Sequence, residues 1–211
     1  VGDLVYLFVE NDQVKLDQIP QAQSSLISFN PKTGEVLSYV GGSVFNNSQF
    51  DRVRQSYPQS GSVFKPFIYA SAFSGGYNPS SLINDAPIIF EDENLETYWR
   101  PENYSGKFYG LTSLREALVQ SINIVSIKLL REIGIKKSSE TVDNFGFGSE
   151  RLPQDLSLAL GSGNFSPAEV ARGFSVFAND GMISDIHFGS HIKDKNEKVI
   201  FDHSEIDVVN L

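Results

Sequence analysis

The sequence predicts an α+β fold in which an antiparallel sheet packs against a helical region. Strand-like runs with hairpin signals occupy the beginning and the end of the chain, and helical segments lie between them. The composition is that of a globular protein, since 40% of the 211 residues are hydrophobic and 20% are charged. This length fits one large domain, or one domain with a fragment of a second.

The first segment, residues 1–20, contains two short strand-like runs, Val1–Val9 and Val14–Leu16, on either side of the polar turn Glu10–Gln13. We interpret this segment as the tail of a preceding small β domain of OB-like type. The second domain then occupies residues 21–211.

A β-hairpin is predicted from the strand-like runs Ser24–Asn30 and Glu35–Val40. They are joined by Pro31-Lys32-Thr33-Gly34, in which proline starts the turn and glycine accepts a positive φ at its end.

Pro66 marks the start of a helix, because proline is accepted only in the first helical turn. The helix is therefore expected to begin near Ser62, just after Gly61, and to end at Gly75-Gly76. This start places the side chain and the amide of Ser62 at the positive end of the helix dipole.

The rest of the chain predicts further helices and a second hairpin. Residues 77–110 are expected to be rich in loops. Ser166-Pro167-Ala168-Glu169 is a capping box with proline at the first helical position, and this helix is expected to end near Ala178. The other predicted elements are a helix from the N-cap Thr112 to Gln120, helices over Ile124–Ile133 and Ser138–Phe145, and a hairpin of Ile186–Lys193 with Lys198–Phe201.

Composition excludes several classes of function. The chain has no cysteine, and so no disulfide framework, no cysteine-ligated zinc or iron–sulfur cluster and no thiol nucleophile. The formal net charge of −9 argues against a nucleic-acid binder, which needs a basic surface. No apolar run approaches the roughly 20 residues of a membrane span. The chain begins at Val1 and carries no signal peptide, so we expect it to be a piece of a longer protein.

The first candidate for chemistry is the Ser62-x-x-Lys65 tetrad. Residues three apart share one face of a helix, so the two side chains are expected to lie together. A serine hydroxyl becomes a good nucleophile only when a base takes its proton, and a lysine with a lowered pKa can do so. The free amides of the helix start can stabilise an oxyanion. The pattern therefore predicts Ser62 as nucleophile and Lys65 as base, although such tetrads also occur by chance.

The second candidate is Ser121-Ile122-Asn123, which lies between two predicted helices. A serine hydroxyl here could transfer protons to a leaving amine, and the amide of Asn123 could hold a substrate carbonyl or the lysine ammonium. Taken alone, the two residues are better explained as caps, with Ser121 ending one helix and Asn123 starting the next.

The two motifs together are the signature of penicillin-recognising serine enzymes. The surrounding sequence resembles the transpeptidase domain of class A penicillin-binding proteins over about residues 21–205, in order and in spacing. The stretches that carry this resemblance are Asn30–Glu35, Gln49–Arg52, Gln59–Phe67, Trp99–Tyr104, Gly110–Asn123 and Leu160–Ala171.

The resemblance implies a penicillin-binding transpeptidase or serine β-lactamase-like fold, with an antiparallel sheet packed between helices and a helical subdomain. It implies that Ser62 attacks the D-Ala-D-Ala end of a peptidoglycan stem peptide while Lys65 takes the hydroxyl proton. Ser121 would pass a proton to the departing D-Ala, and Asn123 would orient the peptide and Lys65. The Ser62 amide and an amide of a third active-site strand would hold the oxyanion. β-Lactam antibiotics would acylate Ser62.

The resemblance also implies partners and a location outside this chain. Class A members have an N-terminal helix in the bacterial inner membrane and a glycosyltransferase domain that acts on lipid II-derived glycan, and the transpeptidase faces the periplasm. No cofactor or metal is implied. His187 and His191 are four residues apart, but they lie on a predicted strand without a carboxylate triad, so no metal site is predicted.

The sequence departs from the family in three places. Gln59-Ser60-Gly61 stands where the family has Q-P-G, and Phe50-Asp51 stands where it has F-N. The third active-site box of the family, Lys-Thr/Ser-Gly, has no counterpart after Asn123. Lys32-Thr33-Gly34 is rejected as that box, because it precedes Ser62 and lies at a predicted hairpin tip. We expect the C-terminal remainder of the domain, with the third box, to lie outside this chain.

Other functions stay open at this point. A serine β-lactamase or a D,D-carboxypeptidase would share both motifs, and a lactamase would hydrolyse its acyl-enzyme. A non-catalytic penicillin-binding-like interaction module is a further alternative. The Trp99–Tyr104 stretch and the preceding β segment favour the transpeptidase. Two interpretations of Trp99 and Tyr104 stay open, the lining of a cleft and the packing of aromatic rings.

Overall fold

The computed structural model describes residue 2 and residues 4–18, 22–92, 97–202 and 209–210. In this part of the chain the strands pair two by two, and each pair is antiparallel: β1 with β2, β3 with β4, β5 with β8, β6 with β7, β9 with β12 and β10 with β11. The strands are β1 (Tyr6–Glu10), β2 (Gln13–Asp17), β3 (Leu26–Phe29), β4 (Val36–Val40), β5 (Leu82–Asp85), β6 (Phe90–Asp92), β7 (Thr97–Trp99), β8 (Gly110–Ser113), β9 (Met182–Ile183), β10 (His191–Lys193), β11 (Val199–Asp202) and β12 (Val209–Asn210).

In the described part of the chain, one α-helix lies between β4 and β5, and the other four lie between β8 and β9. The α-helices are α1 (Lys65–Ser74), α2 (Leu114–Val119), α3 (Asn123–Ile133), α4 (Ile135–Asp143) and α5 (Pro167–Ala178), and short 3₁₀ segments cover Gly61–Phe64, Ser149–Arg151 and Leu156–Leu160. Among the described residues, no helix is long and apolar enough to cross a membrane.

Helix α1 lies at the centre of the core, with apolar residues on two sides. Phe64 and Phe67 pack on one side, together with the rings of Phe147 and Phe165. Tyr69 belongs to a second buried cluster, which includes residues of α2 and α3. Burial of this much aromatic and aliphatic surface holds α1 against α3, and both helices supply residues of the predicted site.

The hairpin β3–β4 is confirmed, with Leu26 opposite Val40. Gly34 ends its turn at a φ of +79°, and a β-carbon there would lie 1.9 Å from the carbonyl oxygen of Asp185. Only glycine fits both requirements. The Lys32-Thr33-Gly34 segment is therefore a structural turn, as predicted.

The N-terminal segment also forms the predicted pair of strands, with Tyr6 opposite Asp17 and every residue of both strands exposed. Its assignment to a preceding domain remains a prediction. The capping box at Ser166 is confirmed, since the Ser166 hydroxyl accepts from the Glu169 amide and the Glu169 carboxylate accepts from the Ser166 amide.

Two local predictions were wrong. Thr112 lies in β8, and Ser113 is the N-cap of α2, because its hydroxyl accepts a hydrogen bond from the Glu116 amide at 3.2 Å. Residues 77–110, expected to be rich in loops, also contain the short strands β5, β6 and β7, of which β5 pairs with β8 and β6 pairs with β7.

The second error concerns the last hairpin, whose first strand begins only at His191. The segment before it is held elsewhere, because His187 pairs with the β3–β4 turn through the backbone of Gly34 and Val36. Helix α4 covers Ile135–Asp143, slightly N-terminal to its predicted range.

Candidate active site

Ser62 lies at the corner where a loop enters helix α1. It is the second residue of the 3₁₀ segment that runs directly into α1, and its side chain is exposed. Pro66 is the second residue of α1, as the sequence predicted. The first amides of a helix have no acceptor within the helix, so the N–H of Ser62, at the second position of the 3₁₀ segment, is not used by the helix itself.

The corner before Ser62 is clamped to a distant loop. The Ser60 amide donates to Gly163 O at 3.1 Å, and the Gly61 amide donates to Gly161 O at 2.9 Å. Gly161 has a φ of +72°, and a β-carbon there would lie 1.9 Å from Gly61 O. Ser60 stands where the resembling family has proline, which has no amide hydrogen to donate. The departure at Ser60 thus adds a backbone hydrogen bond to the clamp.

Lys65 is buried one turn further along the chain, with only 1% of its surface exposed. Its Nζ donates to the carbonyl oxygen of Ser121 at 2.7 Å, to the hydroxyl of Ser121 at 3.0 Å and to Oδ1 of Asn123 at 2.8 Å. These three acceptors match the three N–H donors of an ammonium. Lys65, Ser121 and Asn123, predicted separately from two motifs, therefore form one cluster.

Burial makes the neutral form of Lys65 more accessible than that of an ordinary lysine. Burial lowers the pKa of Lys65 from 10.5 to about 8, because the charged amine loses its hydration. Among the described residues, no carboxylate forms an ion pair with this lysine. Near neutral pH roughly a tenth of the molecules then carry a free amine that can accept a proton.

Ser121 holds its position in a strained backbone conformation. Its φ is +53°, a region that favours glycine. The Ser121 amide donates to Leu118 O at 3.1 Å and the Ile122 amide to Ala117 O at 2.8 Å, which is the hydrogen-bond pattern of a Schellman motif. Ser121 therefore caps the C-terminus of α2, as the capping interpretation held, and also contacts Lys65.

Asn123 is the first residue of α3, and its side-chain amide is oriented by two different partners. Its Nδ2 donates to the carbonyl oxygen of Glu102 at 2.9 Å, while its Oδ1 accepts from Lys65. A carbonyl only accepts and an ammonium only donates, so the reversed amide would lose both bonds.

The sequence reasoning missed two residues behind this cluster, Asp85 and Asn103. Asn103 accepts hydrogen bonds from the first two amides of α3, and Asp85 accepts from Asn103. Asn103 lies in the Trp99–Tyr104 stretch, so its place in that motif was the available signal. Trp99 is partly buried and stacks on Phe90, whereas Tyr104 is fully exposed.

Comparison with known proteins identifies the family to which the chain is similar. The family model described as penicillin binding protein transpeptidase domain matches residues 25–209. Penicillin-binding protein 1A of Pseudomonas aeruginosa is 43% identical over 192 residues, which are 91% of this chain and 23% of that protein. The protein of the same name from Escherichia coli is 38% identical over 201 residues, covering 95% of this chain and 24% of that protein.

Solved structures show the same likeness. The crystal structure of penicillin-binding protein 1A from Haemophilus influenzae aligns with a TM-score of 0.86 and 35% identity, over 94% of this chain and 30% of that one. The chain thus spans about a quarter of the length of the curated relatives named above. With a family model that matches most of its length and relatives of such identity, the chain belongs to the penicillin-binding protein transpeptidase domain family.

Proposed function

We propose that this chain carries the acyl-transfer site of a serine-type peptidoglycan D,D-transpeptidase. Its donor substrate is the D-Ala-D-Ala end of a stem peptide, and its acceptor is an amine of a neighbouring stem. The observation that carries the proposal is the buried Lys65, which lies one turn after the exposed Ser62 and is held by Ser121 and Asn123. Such a lysine can remove the proton of a serine hydroxyl at neutral pH.

In the first half-reaction, Ser62 Oγ attacks the carbonyl carbon of the penultimate D-Ala, and the hydroxyl proton passes to the neutral amine of Lys65. The carbonyl oxygen becomes an oxyanion, and the Ser62 amide at the helix start donates to it. The C–N bond to the last D-Ala then breaks. The departing nitrogen takes a proton from the Lys65 ammonium, so an ester on Ser62 and a free D-Ala remain.

In the second half-reaction, the acceptor amine attacks the ester carbonyl and loses a proton to Lys65. The C–O bond to Ser62 breaks, and the serine oxygen recovers a proton from the lysine. A new amide bond joins the two stems. Lys65 acts first as base and then as acid in each half-reaction, which requires a pKa near the working pH.

The contacts of Lys65 support Ser121 as the proton carrier. A neutral lysine has two N–H donors, which match the carbonyl of Ser121 and Oδ1 of Asn123, since neither oxygen can donate. The third contact, the Ser121 hydroxyl, can donate as well as accept. The same geometry therefore serves both protonation states of Lys65, and the hydroxyl is the group through which a proton can move to the leaving amine.

The proposal extends to ligands and location. β-Lactams acylate Ser62 in place of the donor peptide. The domain faces the periplasm at the bacterial inner membrane, and the glycosyltransferase partner activity of class A proteins, which uses lipid II-derived glycan, resides in other parts of the protein.

The test is the intact mass of the protein, at its natural full length, with and without benzylpenicillin. We expect the mass to increase by one benzylpenicillin, and we expect Ser62→Ala to abolish this adduct while the protein stays folded, because Ser62 is exposed. An adduct that survives Ser62→Ala, or a wild-type protein that never forms one, would overturn the proposal. Loss of the adduct within seconds would instead indicate a β-lactamase.

A further inference from the structure

A buried acidic side chain lies behind the active-site cluster without taking part in it. Asp85, the last residue of β5, is 1% exposed. Its two carboxylate oxygens both accept from Nδ2 of Asn103 at 2.9 Å, and Oδ2 also accepts from the Tyr109 amide at 2.9 Å. Among the described residues, no cation forms an ion pair with Asp85. A buried carboxylate satisfied in this way is costly to keep, so a structural or functional role is expected for it.

Asn103, which is 5% exposed, connects this carboxylate to helix α3. Its Oδ1 accepts from the amide of Asn123 at 3.0 Å and from the amide of Ile124 at 3.1 Å. The residue before the helix, Ile122, has no side-chain oxygen with which to cap it. Asn103 therefore acts as an N-cap that is supplied by a loop distant in sequence.

The carboxylate determines which way the Asn103 amide points. With Nδ2 toward Asp85 and toward the carbonyl of Lys107, at 2.8 Å, Oδ1 faces the helix. In the reversed orientation, an oxygen would face the carboxylate and an NH₂ would face two helix amides, so every contact would be repulsive. The neighbouring Glu102 carbonyl completes the arrangement by accepting from Nδ2 of Asn123.

We propose that Asp85 and Asn103 are positioning residues of the transpeptidase reaction. They act through Asn123: the carboxylate orients the Asn103 amide, Asn103 holds the first turn of α3, and Oδ1 of Asn123 is thereby kept on Lys65. This inference rests on the proposed function. It adds to that function a buried pair, from β5 and the loop after β7, that touches neither the nucleophile nor the base.

The test is a double-mutant cycle read out as the second-order rate constant of acylation by benzylpenicillin, in the protein at its natural full length. Asn103→Ala and Asn123→Ala are each expected to slow acylation about ten-fold or more, because misplacement of a proton-transfer group is expensive. If Asn103 acts through Asn123, the double variant is about as slow as Asn123→Ala alone. If Asn103 had only a structural role, the fold reduction in the acylation rate of the double variant would instead be the product of the two single reductions.

Ser166→Ala is the matched control, because it also removes an N-cap, that of α5, and the Ser166 hydroxyl bonds to Glu169 of its own helix. We expect it to lower stability by about 1 kcal/mol and to leave the acylation rate unchanged. If Asn103→Ala does not fold, Asp85→Asn decides: it keeps the size of the side chain and is expected to slow acylation several-fold.

The outcomes separate the two proposals. A wild-type protein without a Ser62 adduct would contradict the proposed function itself. A wild-type protein that is acylated normally, together with an Asn103→Ala or Asp85→Asn variant that is acylated at the wild-type rate, would overturn only the positioning role. Multiplicative effects in the cycle would overturn it as well.

Discussion

Nζ of Lys65 contacts Ser121 twice, at 2.7 Å from its carbonyl oxygen and at 3.0 Å from its hydroxyl. Ser121 makes both contacts from a backbone conformation, φ +53°, that glycine would adopt at lower cost. A hydroxyl at this position is thus kept at the expense of stability, which is common where strain serves a functional site.

Replacement of Ser121 by glycine and by alanine separates strain from chemistry. Both changes remove the hydroxyl, so we expect both to slow acylation strongly. Glycine also relieves the positive φ, and Ser121→Gly is expected to be about 1 kcal/mol more stable than Ser121→Ala. Urea unfolding of the two variants, alongside the rate of benzylpenicillin acylation, makes the comparison. Equal stability of the two would show that the backbone is not strained here.

Acylation is expected to depend on pH through Lys65. Its pKa of about 8, lowered by burial, means that the neutral base becomes more abundant as the pH rises from 6 to 9. The rate constant of acylation should therefore rise steeply up to about pH 8 and level off toward pH 9. Stopped-flow measurements with a fluorescent penicillin would detect this profile. A rate that stays flat from pH 6 to 9 would argue against Lys65 as the base.

The same lowered pKa links the stability of the fold to pH. In the unfolded chain Lys65 has its ordinary pKa of 10.5, whereas in the folded protein it is about 8. Between these values the unfolded state binds more protons, so the free energy of unfolding gains a contribution that increases with pH from about 8 to 10.5. Lys65→Met lacks this contribution. From about pH 8 to 10.5, the free energy of unfolding of the wild type is expected to rise relative to that of Lys65→Met. Urea unfolding of both proteins at each pH measures this difference.

Gly161→Ala is expected to disrupt the corner that carries Ser62. The new β-carbon would lie 1.9 Å from Gly61 O, at a φ of +72°. Such a clash cannot be relieved by a side-chain rotation, so we expect a loss of several kcal/mol in stability and slower acylation. The adjacent Ser162→Ala serves as the control, because it leaves the backbone contact intact. Wild-type behaviour of Gly161→Ala would mean that the clamp does not constrain the corner.

The Lys32-Thr33-Gly34 turn is expected to be irrelevant to the chemistry. Lys32 and Thr33 are exposed, and the turn contacts Ser184 and His187, with Ser184 Oγ donating to Lys32 O at 3.0 Å. Lys32→Ala should be acylated at the wild-type rate. Gly34→Ala should lose stability, because its β-carbon would meet Asp185 O. A large fall in acylation for Lys32→Ala would restore this segment as an active-site box.

Local chemistry allowed several elements to be predicted from the sequence alone. Pro66 located the start of α1, the Ser166 capping box located α5, and Pro31 with Gly34 located the first hairpin. Each of these signals acts within a few residues, through φ restrictions or through free backbone amides, and therefore appears directly in the sequence. The Ser-x-x-Lys and Ser-x-Asn motifs could also be recognised in the sequence, because each spans only three or four residues.

The contacts between residues far apart in sequence were decided only by the tertiary structure. It brought Lys65 onto Ser121 and Asn123 across 56 and 58 residues, and it assigned the N-cap of α3 to Asn103, 20 residues upstream. Contacts of this range depend on how α1 packs on α3 through buried apolar surface, which no local pattern encodes. The lowered pKa of Lys65 arises in the same way: the sequence supplies the amine, but only burial by the surrounding helices removes the water that would keep it charged.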